Sequence, residues 1–150
     1  MQEWFRNGFT VSTDRAKLDV DAIHAFLSSS YWAAGIPRAT MERSLEGSVC
    51  FGVYQTSAGG RLVGFARVVT DHATFAYLAD VFVVESHRGR GLSKWLIECV
   101  LACDELQGLR RWMLATRDAQ GLYARFGFTP PDEPGRLMQR VDREIYARKT

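Results

Sequence analysis

One stretch of this chain is the most informative about its fold: Val81-Phe82-Val83-Val84-Glu85-Ser86-His87-Arg88-Gly89-Arg90-Gly91-Leu92-Ser93. It predicts a strand, then a glycine turn, then the start of a helix. The apolar run before the turn is typical of a buried strand. The segment after it has its apolar residues on one helical face, at positions 92, 95, 96, 99, 100 and 103. The first turn of a helix leaves backbone N–H groups unpaired at the positive end of the helix dipole. The stretch therefore predicts an anion site where this helix begins.

Two glycines and two arginines give this turn its chemistry. Gly89 and Gly91 have no Cβ, so the backbone can approach a phosphate closely. Arg88 and Arg90 add positive charge, and the fixed fork of donors on arginine suits phosphate. The patterns GxxxxGK[ST] and GxGxxG are both absent, which excludes a Walker A loop and a dinucleotide fingerprint. The alternative is a structural strand–helix turn with solvated arginines.

Composition places the chain among soluble globular proteins, because 47% of its 150 residues are hydrophobic and 24% are charged. The length predicts a single domain over residues 1–150. A net charge of +2 argues against a nucleic-acid-binding domain. No apolar run approaches the roughly 20 residues of a membrane helix, and the first residues lack a signal-peptide pattern. We therefore expect no nucleic acid, no membrane and a cytoplasmic location.

Metal and disulfide chemistry are not indicated. The three cysteines have no CxxC spacing, and no cluster of His, Cys and Asp has the spacing of metal ligands. Cys99 and Cys103 lie on the apolar face of the helix and are expected to be core residues, as is Cys50 in a strand-like run. We therefore expect no bound metal.

Alternation and helical spacing predict the remaining elements. Strands are expected at 9–13, 49–55, 61–70, 75–84, 111–116 and 137–141. Helices are expected from Asp19 or Asp21 to Trp32, from Pro37 to Leu45, and over 92–103 and 119–126. This order predicts an α/β (α+β) domain with helices on both faces of a sheet.

Two blocks resemble the GNAT family of N-acetyltransferases. The first, Arg88-Gly89-Arg90-Gly91-Leu92-Ser93, is similar to motif A of the family, which is usually written Arg/Gln-x-x-Gly-x-Gly/Ala. Ser93 departs from it, because the family has Gly or Ala there. The second block, residues 114–128, resembles motif B through its Leu122-Tyr123 and Phe126-Gly127-Phe128. The matches cover about residues 75–128, and the first half of the chain agrees only in its order of elements.

The resemblance implies a mixed, splayed central sheet of about six to seven strands and acetyl-CoA as cosubstrate. Backbone amides of the loop would hold the pyrophosphate, at Arg88, Gly89, Arg90, Gly91, Leu92 and Ser93. The exposed backbone of Val81, Phe82 and Val83 would bind the pantetheine arm in the manner of strand addition. Members of the family transfer the acyl group directly to a bound amine. Many of them are dimers, so a homodimer is also an expectation.

Tyr123 and Asp80 are the candidate catalytic residues. By resemblance, Tyr123 would protonate the departing thiolate; the alternative is a tyrosine of the core. Asp80 interrupts an apolar strand, where a carboxylate is costly unless it is paired. It is either a base or acceptor-binding group, or a structural acid paired with an arginine such as Arg67. Asp71, His72 and Glu85 are weaker candidates for the base, and a water relay could replace any of them.

Aromatic residues are the candidates for binding the acceptor. Tyr31 and Trp32 lie between the first two helices, and Tyr77 lies on the central strand. They could stack on an acceptor or bind an ammonium, or they could close the core. Family members that act on polyamines carry Glu-Asp where this chain has Ala79-Asp80, which disfavours a polyamine. A small-molecule primary amine is the predicted acceptor. The alternatives are a protein N-terminus or lysine, a non-catalytic acyl-CoA sensor, and a module for another phosphate ligand.

Overall fold

Six strands form one sheet in the computed structural model, which describes residues 1–148. The strands follow one another across the sheet in chain order: β1 (Glu3–Arg6), β2 (Phe9–Ser12), β3 (Val49–Gln55), β4 (Arg61–Thr70), β5 (Phe75–Val83) and β6 (Arg111–Leu114). Neighbours are antiparallel except for β5 and β6, which are parallel. The helices are α1 (Val20–Ser29), α2 (Arg38–Glu46), α3 (Leu92–Ala102) and α4 (Gln120–Ala124). A mixed sheet of six strands confirms the predicted fold class.

Helices cover both faces of this sheet. Helix α3 packs on one face, in a buried cluster that includes Phe51, Val68, Leu96 and Val100. Helices α1 and α2 pack on the other, where Ile23, Leu27, Met41 and Leu45 meet Phe65 and Phe82. All three cysteines are buried and unpaired, as predicted. No helix in residues 1–148 is both long and apolar enough to cross a bilayer.

Strand β1 was not predicted, although a local signal for it exists. It pairs with β2 through a two-residue turn, Asn7-Gly8, whose φ angles are 50° and 82°. Asn-Gly is the preferred dipeptide of a type I′ hairpin, because both central residues need a positive φ. The dipeptide therefore marked the hairpin, but Glu3–Arg6 is too short and mixed in character to stand out as a strand.

The predicted strand at 137–141 is wrong. Leu137, Met138 and Val141 are exposed, and the segment pairs with no strand of the described sheet. A physical reason lies just before it, where Pro134–Arg136 form a turn and the Leu137 N–H donates to the Pro134 carbonyl at 3.1 Å instead of to a neighbouring strand. The apolar side chains that suggested a strand consequently face solvent.

The connection between α1 and α2 is a fixed structure. Asp19 caps α1 by accepting a hydrogen bond from the Ala22 N–H at 3.0 Å, and α1 ends at Ser29, earlier than predicted. The buried Ser30 hydroxyl accepts from the Ala33 N–H at 3.1 Å. His24 Nε2 contacts the Ile36 carbonyl at 2.9 Å. These contacts hold the connection against the helices and determine where its aromatic side chains lie.

Candidate active site

The loop before α3 has the backbone that its glycines predicted. Gly89 and Gly91 both adopt left-handed φ angles, of 78° and 76°. A Cβ built on either glycine would meet no atom within 4 Å, so these two backbone positions face open space. Gly91 caps α3 without a side-chain hydrogen bond, and the unpaired amides of the first turn keep their capacity to bind an anion.

A cleft of about 310 Å³ opens in front of this loop. Six of the predicted cosubstrate-binding residues line it: Val83, Arg88, Gly89, Gly91, Leu92 and Ser93. Arg90 lies elsewhere, in a smaller hollow with Arg6 and Trp95. Phe82 has a buried side chain that stacks on Phe26 with ring centroids 3.9 Å apart, so only its backbone is available for the predicted role.

Two cations of the cleft were missed by the sequence reasoning. Lys94 lies in the first turn of α3, and Arg125 follows α4. Arg125 stands three residues after Leu122, so both reach the same side of the short helix and both line the cleft. That spacing of three residues was the sequence signal that could have identified Arg125 as a cleft residue. Arg88 donates from Nε to the Val83 carbonyl at 3.0 Å, which ties the loop to the end of β5.

Strands β5 and β6 diverge beside the cleft, as the resemblance implied. Only the first residues of β5 pair with β6: Phe75 lies opposite Arg111 at one end of the pairing, and Leu78 lies opposite Leu114 at the other. Strand β5 continues to Val83, and within residues 1–148 β6 has no residue opposite 79–83. This part of β5 pairs with β4 alone. Its other edge can therefore accept an extended ligand by backbone hydrogen bonds.

A β-bulge places Asp80 at this divergence. Phe82 pairs with Phe65 and Ala79 with Arg67, so Asp80 and Val81 together lie opposite Ala66. Asp80 has a φ of 56°, which is rare for a residue with a side chain. The extra residue inverts the alternation of the strand: Leu78 packs on the α3 side, whereas Phe82 packs on the α1 side. The bulge thus places a carboxylate within an otherwise apolar strand.

Both oxygens of the Asp80 carboxylate have partners. Arg67 Nε donates to Oδ2 at 2.7 Å, and Trp32 Nε1 donates to Oδ1 at 2.9 Å. The Arg67 and Asp80 side chains are 18% and 10% exposed, so the ion pair is largely removed from water. Arg67 Nη1 also reaches the Ser48 hydroxyl at 3.1 Å. The predicted pairing with Arg67 is present, and each carboxylate oxygen still has a second lone pair for a ligand.

Tyr31 and Trp32 do not close the core, which was one of the two interpretations of this pair. They are 54% and 41% exposed, and their rings meet edge to face with centroids 5.1 Å apart. The Arg117 guanidinium lies 3.9 Å from the centroid of the Tyr31 ring. Arg117 was not singled out from the sequence. Tyr77 is 37% exposed, three residues before Asp80, and makes no aromatic contact with this pair in the part of the chain described.

Tyr123 lies on α4, where it is buried on the α3 side of the sheet. Its ring meets Phe128 edge to face, with centroids 5.9 Å apart. Burial raises the pKa of the Tyr123 phenol, and the nearby Tyr31 raises it further. The phenol consequently stays protonated at neutral pH and can donate a proton or a hydrogen bond.

Among the weaker candidates for a base, Asp71 has a structural task. Asp71 lies in the β4–β5 turn, at the end of β5 remote from the cleft. Its carboxylate accepts from the Thr74 hydroxyl and from backbone N–H groups of 73–75, and these bonds lower its pKa.

His87 is buried beside the loop. Burial lowers its pKa and the charges of Arg90 and Arg61 add to the effect, so the ring is neutral at pH 7.

No group of three or more His, Cys, Asp and Glu side chains suited to a metal ion occurs within residues 1–148. The charged groups of the site are instead the cations of the cleft and the Arg67–Asp80 pair.

Comparison with known proteins agrees with this geometry. The acetyltransferase (GNAT) domain model matches residues 46–130. An acetyltransferase predicted in Gibberella zeae is 36% identical over 83% of this chain and 80% of that protein. A GNAT-family protein from Xanthomonas campestris pv. campestris has a crystal structure that is 52% identical, with a TM-score of 0.88 over 93% of this chain and 97% of that one. A protein of Mycobacterium tuberculosis crystallised with CoA shares the fold at 22% identity, with a TM-score of 0.65 over 90% of this chain and 77% of that one. The chain therefore belongs to the GNAT acetyltransferase family, whose members are acyltransferases that use acetyl-CoA.

Proposed function

We propose that this protein transfers the acetyl group of acetyl-CoA to the primary amine of a small molecule by direct attack on the bound thioester. One observation carries the proposal: the cationic cleft at the start of α3 adjoins the unpaired edge of β5, which ends at the carboxylate of Asp80. The first part suits a phosphate-bearing cosubstrate, and the second suits an amine.

The cosubstrate would bind along this line. The amides of residues 88–93 would hold its pyrophosphate, while Arg88, Lys94 and Arg125 offset the negative charge. Residues 81–83 would bind the pantetheine arm through their free backbone edge. The relative from M. tuberculosis was crystallised with CoA, which supports the choice of ligand.

The acceptor would lie at the bulge. Asp80 would accept a hydrogen bond from the ammonium form of the amine and would then take its proton, passing it on to solvent. The neutral amine nitrogen bonds to the thioester carbonyl carbon and loses its second proton to solvent, and the carbon–sulfur bond breaks. Tyr123 donates its phenolic proton to the departing sulfur and recovers a proton from solvent. The Trp32 indole is hydrogen-bonded to Asp80, so an aromatic ring would stand beside the bound amine, which suits a small acceptor.

Thermal shift followed by a turnover assay tests the proposed function. Binding to the native state raises the melting temperature, so acetyl-CoA and CoA should each raise it by several degrees and more than ADP does. Release of the CoA thiol should then accelerate when primary amines are added. A shift that ADP matches would indicate a general phosphate site, and a shift without amine-dependent thiol release would indicate a non-catalytic binder.

Replacing Asp80 with asparagine should lower kcat/KM for the amine on the order of 100-fold, because both a charge-assisted hydrogen bond to the acceptor and the group that takes its proton are lost. The affinity for acetyl-CoA should stay unchanged, since the loop of residues 88–93 is untouched. Steady-state kinetics over amine concentration at fixed saturating acetyl-CoA would measure the effect.

A double variant separates this role from a structural one. Asp80→Asn leaves Arg67 buried and unpaired, so it should also lower the free energy of unfolding. Arg67→Met combined with Asp80→Asn removes both charges and should recover most of that stability without recovering kcat/KM. Recovery of both quantities in the double variant would make Asp80 a structural acid only.

A further inference from the structure

A continuous row of four side chains joins the β5 bulge to the start of α4; it is called here the acceptor strip. Asp80 accepts from the Trp32 indole at 2.9 Å, and the Trp32 and Tyr31 rings meet with centroids 5.1 Å apart. Arg117 completes the strip, with its guanidinium 3.9 Å from the Tyr31 ring centroid. The strip therefore carries a carboxylate at one end, a guanidinium at the other and an exposed aromatic surface between them.

Arg117 is held in place without an acidic partner. No carboxylate of residues 1–148 lies within ion-pair distance of its guanidinium. Its neighbour Thr116 fixes the backbone, because the Thr116 hydroxyl accepts from the Ala119 N–H at 3.0 Å and its carbonyl accepts from Gln120. Stacking on Tyr31 fixes the side chain. The result is a positioned set of donors with no anionic partner among residues 1–148.

The other cations of the site are already engaged or face elsewhere. Arg67 is bound to Asp80. Arg88, Lys94 and Arg125 line the cleft at the start of α3, where the cosubstrate would bind. Arg117 is absent from that lining, and its contact is with the α1–α2 connection. Its charge is thus directed to the acceptor side.

We infer that the acceptor is an amine that also carries a carboxylate, an amino acid in the broad sense, and that Arg117 binds this carboxylate. The inference rests on the proposed function and specifies its substrate class. The ammonium would bind at Asp80, the hydrocarbon part would lie on Trp32 and Tyr31, and the carboxylate would meet the guanidinium, whose paired donors match its two oxygens. A diamine would instead place its second positive charge against Arg117.

Matched pairs of acceptors test this inference. The probes are 4-aminobutyrate with propylamine and 6-aminohexanoate with pentylamine, since the members of each pair differ by the carboxylate alone. The quantity measured is the ratio of kcat/KM for the amino acid to kcat/KM for its matched amine. In Arg117→Met this ratio should fall about tenfold, for at least one pair, relative to the wild type. Intrinsic differences in amine basicity cancel when the ratio of the variant is divided by that of the wild type, because both enzymes are assayed with the same two compounds.

Two further variants control for structure. Arg117→Lys keeps the charge but loses the paired donors, so its ratio should lie between those of the wild type and Arg117→Met. Arg110→Met removes an exposed arginine from the opposite end of β6 and should leave the ratio unchanged. An unchanged ratio in Arg117→Met for both pairs, with amines still acetylated, overturns this inference and leaves the proposed function standing. If the wild type binds acetyl-CoA but acetylates no primary amine, the proposed function fails first and this inference with it.

Discussion

Replacing Gly91 with glutamate is expected to lower the affinity for CoA and acetyl-CoA by at least about 100-fold while the protein remains folded. A Cβ at this position meets no protein atom within 4 Å, so the new side chain has room and extends into the site of the anion. Two unit charges 4 Å apart interact by about 4 kcal/mol at an effective dielectric constant of 20. Repulsion of that size between Glu and a pyrophosphate exceeds the roughly 2.7 kcal/mol that a 100-fold loss requires.

Backbone strain must be separated from charge in this experiment. Gly91 has a φ of 76°, and a residue with a Cβ in that conformation costs about 1–2 kcal/mol. Gly108→Glu is a matched control, because Gly108 has a φ of 75°, equally open surroundings and a position at the other end of α3. It should lose similar stability and keep its affinity for CoA.

Isothermal titration of CoA into the wild type and the Gly91→Glu, Gly108→Glu and Gly91→Gln variants measures the effect. Gly91→Gln supplies the neutral counterpart of the glutamate. Gln should bind CoA more tightly than Glu, since only the charge differs. Wild-type affinity in Gly91→Glu would show that the anion does not bind at this loop.

The glycine loop of residues 88–91 could be predicted because its determinants are close together in sequence. An apolar strand, two glycines with left-handed φ angles and an amphipathic helix follow one another within 81–103, and each is a local property of the chain. Lys94 and Arg125 were missed for a related reason. Their place in the cleft depends on how α4 packs beside α3, and that packing is not a local property.

The acceptor side could be predicted only as a set of candidates. The bulge at Asp80 depends on the register between β4 and β5, and nothing in the alternation of 75–84 reveals an extra residue. Trp32 and Asp80 are 48 positions apart in the chain, yet they share a hydrogen bond. Arg117 on Tyr31 is likewise a long-range contact. The sequence therefore named Asp80, Tyr31 and Trp32 without showing that they adjoin one another.

Replacing Tyr123 with phenylalanine is expected to lower kcat on the order of 100-fold with little change in the affinity for acetyl-CoA. Loss of a positioned general acid typically costs 10²–10⁴ in rate. The ring that packs against Phe128 is retained, so the free energy of unfolding should change by no more than about 0.5 kcal/mol. Steady-state thiol release gives kcat, and titration of acetyl-CoA gives the affinity.

The pH profile distinguishes an acid from a base at this position. Burial raises the pKa of Tyr123 above its ordinary value, so the phenol is protonated throughout pH 6–9. Ionisation of Tyr123 should therefore cause no fall in the rate as the pH rises through that range. The wild type and Tyr123→Phe should therefore give profiles of the same shape, displaced by a constant factor. A profile whose alkaline side changes in the variant would indicate that the phenolate takes part.

Tyr54→Phe supplies the matched control and decides between chemistry and packing. The Tyr54 hydroxyl is buried with no hydrogen-bond partner in the described residues, so its removal should not destabilise the protein and should leave kcat unchanged. If Tyr123 is the general acid, Tyr123→Phe should lower kcat without lowering acetyl-CoA affinity or stability. If acetyl-CoA affinity and stability fall as far as kcat does, the Tyr123 hydroxyl serves the packing of α4, and the sulfur must take its proton from water in the open cleft.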